Sequence, residues 1–373
     1  MAEPLYADSP RSRAVRLLRE WINTGVLPNG EQLPSERALA NKLGVPRTTV
    51  NRALAELQAA GLIEAVSGRT RIVVADTPPR GLLARSTVIL APPHEDPHTP
   101  TNGMVEGCLS ELRAHDHHVL ILNARDLESD DLASLAAEGP RGVITVDLAL
   151  GRRTNPELIT SLLEQLHTAG IPVCCYGAEM AADRFDHVDH DHEAGAYALT
   201  QLLITRGRRR ILQHFVAGRT MVWTTQRRAG YERAMREASL EPLAPFEMPD
   251  FESPDGNLDA QARQETGFLY PHLTGAEAID GLLCLTDIYT FSAAAVCQLA
   301  GREPGVDLDI VGYDNYYQGA AERYQSSFRP LATIDRQTGA SGHSLARLLV
   351  KRLAQPHDPS PLIEALAPKL IQP

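Results

Sequence analysis

Five residues near the start of one predicted helix, Arg47, Thr48, Thr49, Asn51 and Arg52, carry side chains able to read duplex nucleic acid. Arginine pairs bidentately with guanine, asparagine does so with adenine, and threonine hydroxyls bond phosphate. The positive end of the helix dipole favours a phosphate at the same place. A second set suits a small polar ligand. Tyr176, the Thr286-Asp287 pair and Asp314 each follow a short apolar run of strand character, where carboxylates and hydroxyls can exchange hydrogen bonds with vicinal hydroxyls. An aromatic such as Trp223 or Phe251 can stack on the apolar face of a sugar ring.

Other conspicuous groups point less far. The run Asp186-His187-Val188-Asp189-His190-Asp191-His192-Glu193 holds imidazoles and carboxylates suited to zinc or another divalent ion. Alternate residues of an extended segment face opposite ways, so these groups do not converge and no metal is expected. Arg206-Gly207-Arg208-Arg209-Arg210 reads as a solvated turn between a helix and a strand. Asp287 and Asp314 would serve a glycosidase only if their carboxyl groups stood about 5–10 Å apart across a bond. Nothing in the spacing fixes that distance, and neither an enzyme nor a cofactor is expected.

The elements that position the first set lie in residues 1–75. Val15, Leu18, Trp21 and Ile22 form the stripe of an amphipathic helix from Ser12 to Asn23. Ser35 caps a short second helix, in which Leu39 and Leu43 share a face and which Gly44 ends. A third helix from about Arg47 to Ala60 turns Val50, Ala53, Leu54 and Leu57 inward, which leaves Thr48, Asn51 and Arg52 outward. Two helices joined by a tight turn can insert the second into a major groove. Residues 62–74 read as a hairpin about Ser67-Gly68 with Arg69 and Arg71 projecting, the shape of a wing.

Asp76-Thr77-Pro78-Pro79-Arg80-Gly81 breaks the composition, and a linker is placed at 76–86. From 87 to 373, strands and helices alternate. Strands are expected at Thr87–Leu90, His118–Leu122, Gly142–Val146, Ile171–Tyr176, Arg210–Phe215, Gly281–Leu285 and Leu308–Tyr313, with helices between them. Short buried strands separated by helices imply parallel, doubly wound sheets, and two such sets imply two lobes with a cleft at the strand ends.

Composition agrees with a chain of this kind. Its 373 residues are 43% hydrophobic, enough for two or three cores. The net charge of −11 argues against a generic nucleic-acid binder, yet residues 1–80 hold 11 Lys and Arg against 8 Asp and Glu, and the remainder holds 25 against 39. A mildly basic head on an acidic body touches phosphates with one end. No run approaches the roughly 18 apolar residues of a membrane helix. The start Met1-Ala2-Glu3-Pro4 lacks a secretory profile, so a cytoplasmic location is expected. Cys108, Cys174, Cys175, Cys284 and Cys297 include no CxxC and read as buried small side chains in a reducing compartment.

The run from Leu33-Pro34-Ser35-Glu36-Arg37 through Leu43-Gly44-Val45-Pro46-Arg47-Thr48-Thr49-Val50 to Gly61-Leu62-Ile63 and the Gly68 wing resembles the head of GntR-type regulators. The resemblance implies DNA contacts by Arg37, Arg47, Thr48 and Thr49, with Ser67, Gly68 and Arg69 at the wing tip. Asn51 departs from it, standing where a basic residue is usual. The wing departs too, reading Gly-Arg-Thr-Arg in place of Gly-x-Gly-Thr.

The body is similar to the sensor half of LacI/GalR-type repressors and to periplasmic sugar-binding proteins. The matching stretches are Gly170-Ile171-Pro172-Val173, Val188 to Ala196, Leu202 to Ile211, Arg227 to Tyr231 and Asp309 to Asn315. This likeness implies a periplasmic-binding-protein-like type I fold. It also implies that Arg227, Asp314 and Thr286-Asp287 line an effector cleft, with Phe251 at an aromatic position and Arg336 on the return crossing. Gly177 and the loop Pro92–His98 depart from the pattern. A head and body so combined resemble the arabinose-responsive, AraR-like branch.

The expected function is transcription regulation, by a homodimeric repressor on double-stranded operator DNA controlled by a carbohydrate effector between two lobes. The alternative is a sugar-binding or sugar-processing protein with an accessory DNA-binding head. The lack of an export signal argues against a periplasmic binder, and the acidic body argues against an architectural DNA protein.

Overall fold

Leu18, Leu39, Leu54 and Leu57 belong to three separate apolar stripes, and pairing those stripes assembles the head. The computed structural model describes residues 9–23, 26–27, 30–59, 61–67, 70–73, 82–92, 100–124, 127, 129–146, 156–177, 184–217, 221–249, 257–355 and 360–373. Helices α1 (Pro10–Asn23), α2 (Glu36–Leu43) and α3 (Arg47–Ala59) bring the four leucines into one core, each at most 2% exposed. Each such burial contributes roughly 1.5–3 kcal/mol. Ser35 Oγ accepts from the Ala38 amide at 3.3 Å, and Gly44, at φ 65°, closes α2 in the left-handed turn that other residues resist. Strands β1 (Ile63–Ser67) and β2 (Thr70–Val73) pair antiparallel with a bulge between Ala65 and Ser67. Of the expected linker, residues 76–81 lie outside the described residues; Leu83–Arg85 form a 3-10 turn and Ser86 opens the next strand.

The first lobe begins with β3 (Ser86–Ala91), α4 (Pro100–Ala114), β4 (His118–Asn123), α5 (Ser129–Glu138) and β5 (Gly142–Thr145). It continues through α6 (Pro156–Thr168), β6 (Val173–Tyr176) and β7 (Asp186–His190). The second lobe holds α7 (His192–Thr205), β8 (Ile211–Val216), α8 (Val222–Glu237), β9 (Phe246–Met248) and α9 (Leu258–Leu273). Then come β10 (Gly281–Leu283), α10 (Ile288–Leu299), β11 (Asp309–Val311) and β12 (Thr333–Asp335). The chain returns through α11 (Thr338–Ala354) and β13 (Ile363–Leu366) to the first lobe and ends with β14 (Lys369–Ile371) on the second.

Both main sheets are parallel, in the orders β4-β3-β5-β6-β7-β13 and β9-β8-β10-β11. Bonds from Gly312 N to Ala332 O and from Asp314 N to Ile334 O set β12 beside β11. Each sheet is covered on both faces, as apolar strands require. Cys174 and Cys175 show this directly: the first packs with Met104 and Leu345 on one face, the second with Leu162 and Leu166 on the other. No helix among the described residues is long and apolar enough to cross a membrane.

Among the described residues, three crossings join the lobes. Asp191 links β7 to α7, Arg336-Gln337 links β12 to α11, and Ala367-Pro368 links β13 to β14. They are tied together: Asp191 N donates to Leu366 O at 3.2 Å, and Gln337 Nε2 donates to Ala367 O at 2.8 Å. The third crossing was not read from sequence, because β13 and β14 are four and three residues long and half-exposed.

In the first lobe α4 and α11 meet through small residues. A Cβ on Gly342 would stand 2.0 Å from the Met104 carbonyl oxygen, and one on Gly107 would stand 2.3 Å from Gly339 O. Both obstacles are backbone, so an added methyl separates two helices. Gly342→Ala is expected to cost about 1–3 kcal/mol of stability, read as a lower urea midpoint.

Candidate functional site

On the head, α3 presents Arg47, Thr48, Asn51 and Arg52 to solvent with Thr49 half-buried, and α2 exposes Arg37. Ser67 ends β1, while Gly68 and Arg69 lie outside the described residues. Sequence reasoning missed Glu36 as part of this face. Its carboxylate accepts from Arg47 Nε at 3.0 Å, Asn51 Nδ2 at 2.8 Å and Arg71 Nη1 at 3.4 Å. These bonds, Arg47's first, hold it below the ordinary glutamate range against the opposing effect of burial. Arg71 was expected to project from the wing. It folds back instead, bonding Glu36 and also Gln58 Oε1 at 3.5 Å, because a carboxylate with several lone pairs is in reach.

In the body, Arg227 sits in the second turn of α8, 4% exposed. Its Nη1 donates to the Leu285 carbonyl at 2.7 Å and its Nη2 to Asp314 Oδ1 at 3.4 Å. The guanidinium lies 3.4 Å from the Tyr313 ring centroid and 4.5 Å from that of Trp223. Arg336, on the second crossing and equally buried, donates from Nε to the Tyr176 hydroxyl at 3.3 Å and stands 4.0 Å from Asp314 Oδ1. Asp314 is thus shared by two guanidiniums, one from α8 and one from the hinge. Its backbone is strained, with φ at 90° and at 55° for Asn315, a conformation that non-glycine residues keep where surroundings enforce it.

Four further residues complete this cluster: Asp189, His190, His192 and Tyr313. His190 Nε2 faces Ser341 Oγ at 3.1 Å, and His192 Nδ1 faces the Tyr313 hydroxyl at 3.2 Å. Rings follow one another from Tyr176 to His190, His192 and Trp223, with centroids 6.0, 6.1 and 6.3 Å apart. Burial, aided by Arg336 and Arg227, drives His190 down to about 3 and His192 well below its usual value, so both imidazoles stay neutral. Burial raises Asp189. The alternation that argued against a metal in this run also held the clue to its role. Asp186, Val188 and His190 face α11, where Arg352 binds Asp186 at 2.6 and 2.8 Å. Among the described residues no group of three or more His, Cys, Asp or Glu is placed to hold a metal ion.

Two further expected cleft residues are more enclosed. Asp287 is fully buried: its Oδ2 accepts the Tyr316 and Tyr317 amides at 2.6 and 3.1 Å, which fixes the loop carrying Asp314. Burial lifts this carboxyl to about 7, against its bonds to Thr333 and the two amides. Asp287 is thus engaged by the loop that carries Asp314. Thr286 is half-buried with Oγ1 enclosed, and Phe251 lies outside the described residues. The arginine cluster is no free basic patch: Arg206 and Arg208 both bind Asp309, at 2.9 and 2.8 Å, and the Arg209 and Arg210 amides bind Asp280.

Away from the cleft, Glu265 on α9 is 1% exposed, and among the described residues no donor meets its carboxylate oxygens in good hydrogen-bond geometry. Burial lifts it to about 8, only partly offset by Ser292, where an ordinary glutamate titrates near 4.5. The unfolded chain releases this proton first. Stability should therefore fall with rising pH between those two values, by up to about 1.4 kcal/mol per pH unit, and level off above them. Glu265→Gln removes the effect and is expected to add about 1–3 kcal/mol at pH 7. Urea unfolding across about pH 5–8 measures it.

Residues 10–73 match the family described as bacterial regulatory proteins, gntR family, and residues 200–372 match the periplasmic binding protein-like domain. The HTH-type transcriptional regulator CelR of Thermobifida fusca is 28% identical over 242 residues, 63% of this chain and 64% of that protein, so the match spans under two thirds of the relative. The arabinose metabolism transcriptional repressor of Geobacillus stearothermophilus is 23% identical over 342 residues, 90% of this chain and 88% of its own. Among solved structures, the transcriptional regulator CelR-cellobiose complex superposes with a TM-score of 0.60 at 21% identity, covering 91% of this chain and 98% of that one. A LacI family regulator from Enterococcus faecium with bound ribose gives 0.58 at 20% identity, over 77% of this chain and 97% of its own.

Proposed function

We propose, for a chain that joins a GntR-type head to a periplasmic-binding-protein-like body, that it is a transcription regulator, a repressor whose hold on operator DNA is set by a small sugar between the lobes. The observation that carries this reading is the buried Arg227, stretched between Leu285 O, Asp314 and two aromatic rings, in the same molecule as the exposed face of α3. The guanidiniums of Arg227 and Arg336 flank Asp314, the charge of Arg336 also acts on Asp189, and burial keeps the histidines neutral. A neutral polyhydroxy ligand suits that balance, with Trp223 available to one face of a sugar ring. Tyr176, Arg227, Phe251, Thr286, Asp314 and Arg336 are assigned to the effector, with Asp287 acting through the loop it holds.

Residues 1–75 form the proposed head, 76–86 the linker, and 87–373 the effector-binding and dimerising body. Arg37, Arg47, Thr48, Thr49, Asn51 and Arg52 meet DNA, with Ser67, Gly68 and Arg69 at the wing. One recognition helix reads few base pairs, so a homodimer that doubles the site is the working form. Closure of the lobes about the three crossings would change the spacing of the two heads. A coupling of about 1–3 kcal/mol suffices to switch a gene. The similar proteins include an arabinose repressor and structures with cellobiose and ribose, which makes sugars the class to try first.

The test is a thermal-shift screen of the full chain against monosaccharides, disaccharides, sugar phosphates and nucleosides. A ligand at 100 times its Kd stabilises by about 2.7 kcal/mol, which moves the melting temperature by degrees. A sugar should do so; a shift by nucleosides alone would refute the sugar reading.

A further inference from the structure

We propose that Asp189 and His192 form a donor–acceptor pair at the hinge that reads one hydroxyl of the effector, an inference that rests on the sugar reading above. His192 Nδ1 faces two donors, the Tyr313 hydroxyl at 3.2 Å and Arg227 Nε at 3.5 Å. Arg227 Nε–H has no acceptor capacity, so Nδ1 must accept and the ring proton of a neutral imidazole sits on Nε2. Nε2 stands 3.9 Å from Asp189 Oδ1, which also accepts the His190 amide at 2.8 Å. The separation is too long for a direct hydrogen bond. A hydroxyl oxygen set to one side of that gap, within hydrogen-bond reach of each, accepts from Nε2–H and donates its own proton to the carboxylate. A carboxylate or phosphate in the same place would meet Asp189 with like charge.

The placement gives the pair a second consequence. Asp189 is the penultimate residue of β7 in the first lobe, and His192 opens α7 in the second, on either side of the Asp191 crossing. His192 also touches Arg227 and Tyr313, which belong to the second lobe. A hydroxyl held by both residues spans the hinge and ties ligand recognition to the relative setting of the lobes.

The experiment titrates the full-length protein with arabinose, cellobiose and ribose by calorimetry, using wild type, Asp189→Asn, His192→Phe and His192→Gln. For whichever sugar binds wild type, Asp189→Asn and His192→Phe should weaken binding on the order of tenfold or more, because the first exchanges a charged acceptor for a neutral one and the second removes the ring N–H. His192→Gln, which restores an N–H, should stay within roughly threefold of wild type. Binding to a promoter fragment without sugar should be unchanged in all variants that fold. If His192→Phe does not fold, Asp189→Asn decides alone. Wild-type sugar affinity in Asp189→Asn and His192→Phe overturns the pair while leaving the sugar reading in place. Failure of all three sugars to bind wild type overturns that reading and this inference with it.

Discussion

Arg227→Ala is expected to lose effector binding by at least about 100-fold while keeping operator binding, since breaking a buried charge pair typically costs about 3–5 kcal/mol. Arg227 is the point at which the cleft elements meet: Leu285 follows β10, Asp314 follows β11, Trp223 shares α8, and His192 opens α7. Truncation leaves the Leu285 carbonyl and Asp314 without a donor they now have, and it removes the flat cation packed on Tyr313. Arg227→Lys separates charge from shape. An ammonium keeps the charge but cannot reach a carbonyl and a carboxylate with a planar fork, so it should recover only part of the response. Sugar titration of both variants, with operator binding as the control for folding, checks the result. A normal response in Arg227→Ala would place the effector elsewhere.

Arg47→Ala should weaken specific DNA binding by about 1–3 kcal/mol for each half-site, and by roughly twice that for a dimer, as loss of a bidentate base contact does. Its expected signature is loss of preference for the operator over unrelated sequence, with little change in the salt dependence that phosphate contacts dominate. The engagement of Arg47 by Glu36 gives the variant a companion. In the free protein Glu36 positions Arg47, Asn51 and Arg71 together, so its effect is spread over α3 and β2. Competition titrations with operator and scrambled fragments provide the measurement. An unchanged preference would remove α3 from base reading.

Where the sequence was explicit, the chemistry was local. The Ser35 cap, the Gly44 turn and the leucine stripes are set by residues within one or two turns of each other, and α1 to α3 fall where their spacing puts them. The parallel strands were legible for a similar reason, as short apolar runs buried on both faces. The site was less so. Glu36 and Arg71 are 35 residues apart, and no local pattern joins them. Asp287 looked like a cleft carboxylate because it follows a strand, yet two amides some 30 residues on draw it inward. His190 and His192 were visible as an unusual run, but their partners Ser341 and Tyr313 lie more than 120 residues away. The last crossing escaped notice because β13 and β14 carry too few buried residues to show a period.

Fluorescence anisotropy of a labelled fragment from the protein's own promoter region, titrated with wild-type protein at low ionic strength with and without the sugar that stabilises it, tests the account at its centre. Tight, salt-sensitive binding that the sugar changes by about 5–150-fold is the predicted outcome. No binding to the fragment, or binding that stays the same with the cleft saturated, would contradict it.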